Sequence, residues 1–318
     1  MSTVLITGYS GFVGSHLVGA LSPSIKVNLL GRSPPPLCHM HQKANIDPNS
    51  DYSAVLNDVE VVVHVAARVH VMDDNSSDPL NEFRQVNAAG TINLATQAVK
   101  AGVKRFILLS SIKVNGESSL LGKPFKHDNG RSPKDFYGQS KSEAEEQLLK
   151  LANETALEVV IIRPTLVYGP GVKANFASLM NLVSKGIPLP FGCITQNKRS
   201  LVSVDNLVDL IVTCIDHPKA ANQVFLVSDD HDVSTSEMVR ELAIALDKPT
   251  WQLPVPIWCY KLVGKLSAKS DIFDRLTGSL QVDISHTKET LGWKPPQTLQ
   301  EGFKQTAQAF LQANNKLW

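Results

Sequence analysis

An α/β fold is what the sequence predicts, and three observations predict it. A turn with regularly spaced glycines follows the first apolar run. Apolar runs then alternate with helix-period segments through the first half. Those runs are nearly continuous, as suits strands covered on both faces rather than on one. Together they describe a doubly wound, Rossmann-type parallel sheet, joined to a smaller, loop-rich C-terminal lobe.

The elements follow in order. Thr3–Thr7 (TVLIT) is a β-rich run that ends at Gly8. Residues 12–21 read as a helix and 26–30 as a second strand. Residues 59–66 (VEVVVHVA) are apolar except for Glu60 and His64. Residues 79–100 read as one long helix, with Gly102 just past its end as a C-cap. A strand at 105–110, a helix at 137–152 and a strand at 157–162 complete the alternation. Beyond that, proline and glycine recur from 164 to 192 and the elements shorten. A capping box, Ser234-x-x-Glu237, opens a helix over 237–246. The reading is an alternating α/β domain over 1–168, with a return segment near 200–227, and a smaller, loop-rich lobe over 169–318.

Composition bounds the function. The 318 residues are 43% hydrophobic and 19% charged, which suits a folded chain of about two lobes. Lysine and arginine number 31 against 30 acids, so no whole-protein field exists to hold nucleic acid or an anionic membrane surface. Neither is expected as a partner, although a local basic pocket is compatible with this balance. The start lacks the basic n-region of a signal peptide, and no apolar run is long enough to span a bilayer. Cys38, Cys193, Cys214 and Cys259 are scattered, with neither a CxxC pair nor a disulfide framework. A cytoplasmic protein without a metal site is expected, in which the sequons at Asn75 and Asn153 are chance matches. The run Pro34–Pro35–Pro36 reads as a short stiff loop.

The chemistry begins at Gly8-x-x-Gly11-x-x-Gly14, between the first strand and the first helix. Glycines there allow a tight turn and close approach of backbone to a pyrophosphate. The helix beginning Phe12-Val13-Gly14 offers unpaired N–H groups and a partial positive charge. Three glycines alone make only a turn; their place after a strand and before a helix makes the binding reading. Dinucleotide sites often carry an acid after the second strand, on the adenosine ribose. Here Gly31-Arg32-Ser33 has none, and Arg32 with Ser33 suits a ribose 2′-phosphate. NADP is therefore favoured over NAD.

Tyr137-Gly138-Gln139-Ser140-Lys141 places a phenol and an ammonium four residues apart, on one helix face. A phenol titrates near pH 10 and is a poor base at neutrality. A neighbouring ammonium and a positive nicotinamide ring are expected to lower its pKa. Ser111, just after a predicted strand, can hydrogen-bond the same substrate oxygen. A lone YxxxK pair occurs by chance in many helices. The pair together with the glycine turn and the serine does not.

These ordered motifs resemble the extended short-chain dehydrogenase/reductases, in the branch of nucleotide-sugar epimerases and dehydratases. The resemblance runs from the glycine turn to Leu291-Gly292-Trp293-Lys294-Pro295. It implies an NAD(P)-binding Rossmann domain over 1–168, a nucleotide-sugar-binding substrate domain over 169–318, and a catalytic Ser111, Tyr137 and Lys141. It also implies cofactor contacts from Asn45 and Ile46 at the adenine, from Ala66 and Ala67, and from Asn87 of an NxxGTxNL motif. That motif is completed by Gly90, Thr91, Asn93 and Leu94. Arg163, Pro164 and Thr165 are implied beside the nicotinamide. On the substrate side, Phe191, Gly192, Arg199 and Arg275 resemble contacts to uridine and diphosphate, and Asn175 is a weaker match. Arginine forks suit a diphosphate, although either arginine alone also reads as a surface ion pair. A homodimer through the helices at 79–100 and 137–152 is implied too.

The departures narrow the reaction. The family's 4,6-dehydratases carry an acid pair after the catalytic hydroxyl, whereas Ile112 and Lys113 follow Ser111. Lysine is no carboxylate base, so dehydratase is rejected. The segment is most similar to a UDP-glucose 4-epimerase-like subgroup, some of whose members reduce 4-keto-6-deoxy sugars for surface polysaccharides. C4 redox chemistry on a UDP-hexose is expected, with epimerase first and NADPH-dependent reductase second. A dinucleotide-binding sensor is the reading of a different class; sensors usually lack the tyrosine or the lysine, and this chain has both.

Overall fold

The computed structural model describes residues 3–21, 25–35, 39–69, 78–266 and 270–315. Pro36, Cys38 and the Asn75 sequon lie outside them. A parallel sheet of seven strands runs in the order β3-β2-β1-β4-β5-β6-β9. Its strands are β1 (Thr3–Thr7), β2 (Lys26–Gly31), β3 (Met40–Lys43), β4 (Val61–His64), β5 (Arg105–Leu109), β6 (Glu158–Pro164) and β9 (Gln223–Val227). Helices cover both faces, which is why the strands read as continuous apolar runs. In β1, Val4 and Ile6 enter one core while Leu5 enters the other. Val61 and Val63 of β4, and Val160 and Ile162 of β6, share the core of Val4; Val62, Val159 and Ile161 share that of Leu5.

The first face carries α1 (Phe12–Ala20), α7 (Val204–Asp216) and α11 (Ser285–Leu291). The second carries α2 (Ser53–Leu56), the long segment at 79–100 and α5 (Phe136–Glu154). The long segment differs from a simple α-helix. It comprises α3 (Pro79–Arg84), a π-helical turn (Gln85–Gly90) and α4 (Thr91–Lys100). Asp78 caps its start by accepting from the Asn81 amide, and Gly102 follows its end at φ +79°.

A second lobe grows from the C-terminal side of the sheet. It holds the three-stranded sheet β10-β8-β7, made of β7 (Leu166–Tyr168), β8 (Arg199–Ser203) and β10 (Asp232–Val233). Around it lie α6 (Ala174–Ser184), α8 (Thr235–Ala245), α9 (Ile257–Leu266), α10 (Ser270–Thr277) and α12 (Leu299–Asn315). The capping box is present: Ser234 Oγ accepts from the Glu237 amide while Glu237 reaches back to the Ser234 amide. A third core, with Tyr168, Phe176, Leu201, Leu242 and Phe303, holds this lobe together. Between β8 and β10 the chain returns to the first lobe, where α7 packs on α1 and β9 extends the main sheet. No helix among the described residues is long and apolar enough to cross a membrane.

Candidate active site

Strand order reverses between β1 and β4, and the glycine turn sits in the notch that opens there. Gly8 has φ +70°, and a Cβ on it would stand 2.6 Å from the Ala66 amide nitrogen. A Cβ on Gly14 would stand 2.2 Å from the Gly8 carbonyl oxygen. Only glycine at these positions lets α1 sit down on the turn and the turn on the backbone of Val65 and Ala66. The N-cap of α1 is Gly11, which offers no side-chain acceptor, and the first turn holds no acid. The leading N–H groups of Phe12, Val13 and Gly14 thus receive no internal cap, and the positive end of the helix is left uncompensated. That arrangement fits a pyrophosphate.

At the adenosine end, β2 stops at Gly31, and Arg32 and Ser33 follow it exposed. Tyr9 donates its hydroxyl to the Ser33 carbonyl and sets its ring edge-on to His41. Ile46 packs into the second core, and the Asn45 carbonyl accepts from the Tyr52 hydroxyl at 2.9 Å.

The segments that carry the candidate reacting groups come together because two turns interlock. Ser111 caps the 3₁₀ turn Ile112–Val114, its Oγ accepting from the Lys113 amide at 3.2 Å. Asp135 caps α5, accepting from the Gly138 amide at 2.7 Å. A Cβ on Gly138 would lie 2.8 Å from the Lys113 carbonyl oxygen, so the glycine of YGQSK lets the start of α5 rest against the serine turn. Ser111 and Tyr137 are half-buried at this seam, with the Tyr137 ring 6.4 Å from Phe83, edge to face. Lys141 is fully buried, and its Nζ donates to the Leu109 carbonyl at 2.9 Å.

The electrostatics of the protein alone differ from the expectation. Burial, helped by the Asp135 carboxylate, raises the Tyr137 phenol above its ordinary value instead of lowering it. Burial also lowers the Lys141 ammonium to about 8, with Glu145 pulling it partly back up. A low-dielectric site disfavours both charged forms.

The NxxGTxNL motif ties several elements together. Asn87, on the π-helical turn, accepts from the Arg68 amide at 2.8 Å and donates to the Arg68 carbonyl and to Ser140 Oγ. It thereby ties the segment after Ala67 to the catalytic helix. Gly90 allows close packing, since a Cβ there would lie 2.9 Å from the Asp47 amide. Thr91 bonds His64, Asn93 donates to the Asp47 and Ser50 carbonyls, and Leu94 is core. Arg163 is turned inward: it pairs with Glu145 at 2.5 Å and donates to Asn115 Oδ1 at 3.0 Å. Of that segment, Pro164 ends β6 and Thr165 follows it, its Oγ1 donating to the Val227 carbonyl.

Three contributors were not singled out in the sequence. His64 is fully buried between the Thr7 and Thr91 hydroxyls, at 2.7 and 2.9 Å. Glu145 accepts from Ser110 and Arg163 beneath the site. Asp135 is both a cap and an ion-pair partner of Lys113. The signals were present: His64 interrupts an apolar strand, and Glu145 lies four residues beyond Lys141 on one helix face.

On the substrate side, Phe191 is buried and the Gly192 amide donates to the Leu253 carbonyl at 3.0 Å. Arg199 donates to the carbonyls of Arg275 and Gly278, and Arg275 pairs at 3.7 Å with Glu117. Burial and the adjacent Arg275 both lower the Arg199 pKa. Two guanidiniums set together, one of them bonded to carbonyls among the described residues and the other paired with Glu117, are of a chemistry that suits an anion. Asn175 belongs to α6, but its side chain lies outside the described residues. Among the described residues, no group of three or more His, Cys, Asp or Glu side chains is placed to hold a metal.

Comparison with known proteins gives consistent results. Residues 4–228 match the model of the "NAD dependent epimerase/dehydratase family". The chain is 69% identical to a UDP-glucose 4-epimerase of Vibrio cholerae, over 99% of this chain and 97% of that protein. It is 28% identical to an N-acetyl-α-D-glucosaminyl-diphospho-ditrans,octacis-undecaprenol 4-epimerase of Escherichia coli O157:H7, over 96% and 94%. Among solved structures, the UDP-glucuronic acid 4-epimerase of Bacillus cereus in complex with NAD superposes with a TM-score of 0.78. That match has 20% identity over 98% of this chain and 99% of that one.

Proposed function

This chain belongs to the NAD dependent epimerase/dehydratase family, and we propose that it is an enzyme that epimerises a UDP-hexose at C4. What supports the reading is the seam between the Ser111 turn and the start of α5, which carries Tyr137 and Lys141, beside an uncapped helix end suited to a dinucleotide. Near-complete coverage of a 69% identical 4-epimerase supports it.

The glycine turn, the first turn of α1, Ala66, Ala67 and the end of β6 would hold the dinucleotide. When bound, that group would supply a reversible hydride acceptor for C4 of the sugar. Tyr137 takes the C4 hydroxyl proton as the C4–H bond breaks, then gives it back to the C4 oxygen on reduction. Ser111 Oγ donates to that oxygen and stabilises its developing charge. Because burial holds the phenol up, Lys141 supplies the positive charge that lets it deprotonate. Only one of its three N–H donors is shown engaged, on the Leu109 carbonyl. The substrate's diphosphate lies on Arg199 and Arg275, with Phe191 and Gly192 at the uridine.

One observation favours a second reading. The acid-free end of β2, with Arg32 and Ser33 exposed, suits a 2′-phosphate and hence NADPH-dependent reduction of a UDP-4-keto-6-deoxy sugar. Incubating the protein with UDP-glucose or UDP-N-acetylglucosamine and catalytic NAD separates the two. Appearance of the 4-epimer without net change in reduced cofactor supports the epimerase. Stoichiometric NADPH consumption with a 4-keto sugar, and no epimer, supports the reductase.

A further inference from the structure

Glu117 leaves the serine turn with its backbone fixed on both sides. Behind it, the Asn115 and Gly116 amides both donate to the Ile112 carbonyl, at 2.9 and 3.3 Å, and Asn115 is buried against Arg163. Ahead of it, the Ser119 amide donates to the Ser279 carbonyl at 2.9 Å, and Ser119 Oγ accepts from the Gln281 amide at 2.9 Å. These bonds bring Glu117 beside the end of α10, whose last turn carries Arg275. A single atom, Glu117 Oε1, stands 3.4 Å from Lys113 Nζ and 3.7 Å from Arg275 Nη2. Lys113 also pairs with Asp135, the cap of α5. Charges thus alternate along a line from the catalytic helix to the arginine seat: Asp135, Lys113, Glu117, Arg275. Firm bonds between an ammonium or guanidinium and a carboxylate run at about 2.7–2.9 Å. Both contacts of Glu117 are longer, so its carboxylate is shared between two cations and locked to neither. With Glu117 and Lys113 each 32% exposed and Arg275 54% exposed, such contacts are weak.

We propose that Glu117 is a specificity-determining residue, the resident counter-ion of Arg275, which a substrate's diphosphate displaces onto Lys113. The proposal rests on the assignment of Arg199 and Arg275 to that diphosphate. A diphosphate carries more negative charge than one carboxylate and accepts from a guanidinium through several oxygens, so it outcompetes a contact of 3.7 Å. The displaced carboxylate has a cation already in reach, because Lys113 stands nearer to Glu117 Oε1 than Arg275 does. A ligand without phosphates gains nothing to set against the broken pair, and the seat selects against it. Glu117 therefore costs affinity for every occupant and leaves the site to those charged enough to replace it.

Calorimetric titration of the full chain with UDP tests this through a double-mutant cycle. Glu117→Gln keeps the size of the side chain and removes its charge, and it should bind UDP about two- to fivefold more tightly, the worth of an exposed ion pair. In an Arg275→Gln background the same substitution should bring no gain, because the contact to be displaced is already absent. Equal or weaker binding of UDP by Glu117→Gln overturns the proposal, since the carboxylate would then be neutral or helpful to the ligand. A gain that persists without Arg275 overturns it too, because the effect would be one of diffuse charge and not of a displaced pair. In both cases the unaltered protein still binds UDP and the diphosphate seat stands. Failure of the unaltered protein to bind UDP removes the seat itself, and the proposal with it.

Discussion

Lys141 pays for its role in stability. Its folded pKa of about 8 lies below the ordinary 10.5, so the buried ammonium opposes folding whenever it is charged. Below about pH 8 both folded and unfolded lysine are protonated and the cost is complete. Between about 8 and 10.5 the folded chain binds fewer protons, so stability rises with pH. Lys141→Met should therefore raise the unfolding free energy by about 1–3 kcal/mol at pH 7 while abolishing turnover. Urea titration of the two proteins without cofactor checks this, and a less stable Met variant contradicts it. Arg32 makes a second residue-scale case. If it holds a 2′-phosphate, Arg32→Ala should weaken NADPH by roughly ten- to a hundredfold and NADH little, because one charge-assisted bond is lost. Equal titration of the unaltered protein by NADH and NADPH would remove that role from Arg32.

At the scale of elements, a buried polar line joins the cofactor notch to the catalytic helix. The Ala66 amide donates to Thr7 Oγ1, Thr7 meets His64 Nδ1, and His64 Nε2 meets Thr91, whose hydroxyl donates to the Asn87 carbonyl. Asn87 in turn holds Ser140. Burial, with Lys141 adding to it, depresses His64 to about 3, so the folded ring is neutral. An unfolded histidine takes up a proton below about pH 6.5, and the folded one does not until near 3. Stability is then full above 6.5 and falls with pH across that window, by about 1.4 kcal/mol per unit from this one group. Replacing His64 with Gln should flatten the dependence of unfolding free energy on pH between 6 and 4 by about that slope. An unchanged slope would mean that the ring is protonated in the fold. Much at this scale was legible in the sequence. The strands β1, β4, β5 and β6 announced themselves by apolar runs, and α8 by its capping box. The π-helical turn did not, because its cause is tertiary: Asn87 must reach both Arg68 and Ser140. Nor did β3 (MHQK), a sheet-edge strand with no buried residue and hence no apolar signature. Glu145 signalled only its place on the face of Lys141; that Arg163 and Ser110 converge on it shows in the fold alone.

For the whole molecule, three cores place a dinucleotide notch and a pair of arginines in one protein, with the catalytic seam at the end of the main sheet. We expect two such molecules to associate through the segment at 79–100 and α5, an isologous contact of the commonest oligomer symmetry. Light scattering at micromolar concentration should give twice the mass of the chain, and a monomer would refute this. The account as a whole rests on the phenol of Tyr137, and its most direct test is the turnover of Tyr137→Phe on a UDP-hexose. The ring stays and one oxygen goes, so folding and cofactor affinity should change little. Removing the acid–base group should lower kcat by on the order of 10²–10⁴-fold with KM nearly unmoved. A Phe variant that interconverts the C4 epimers at the unaltered rate would contradict the account.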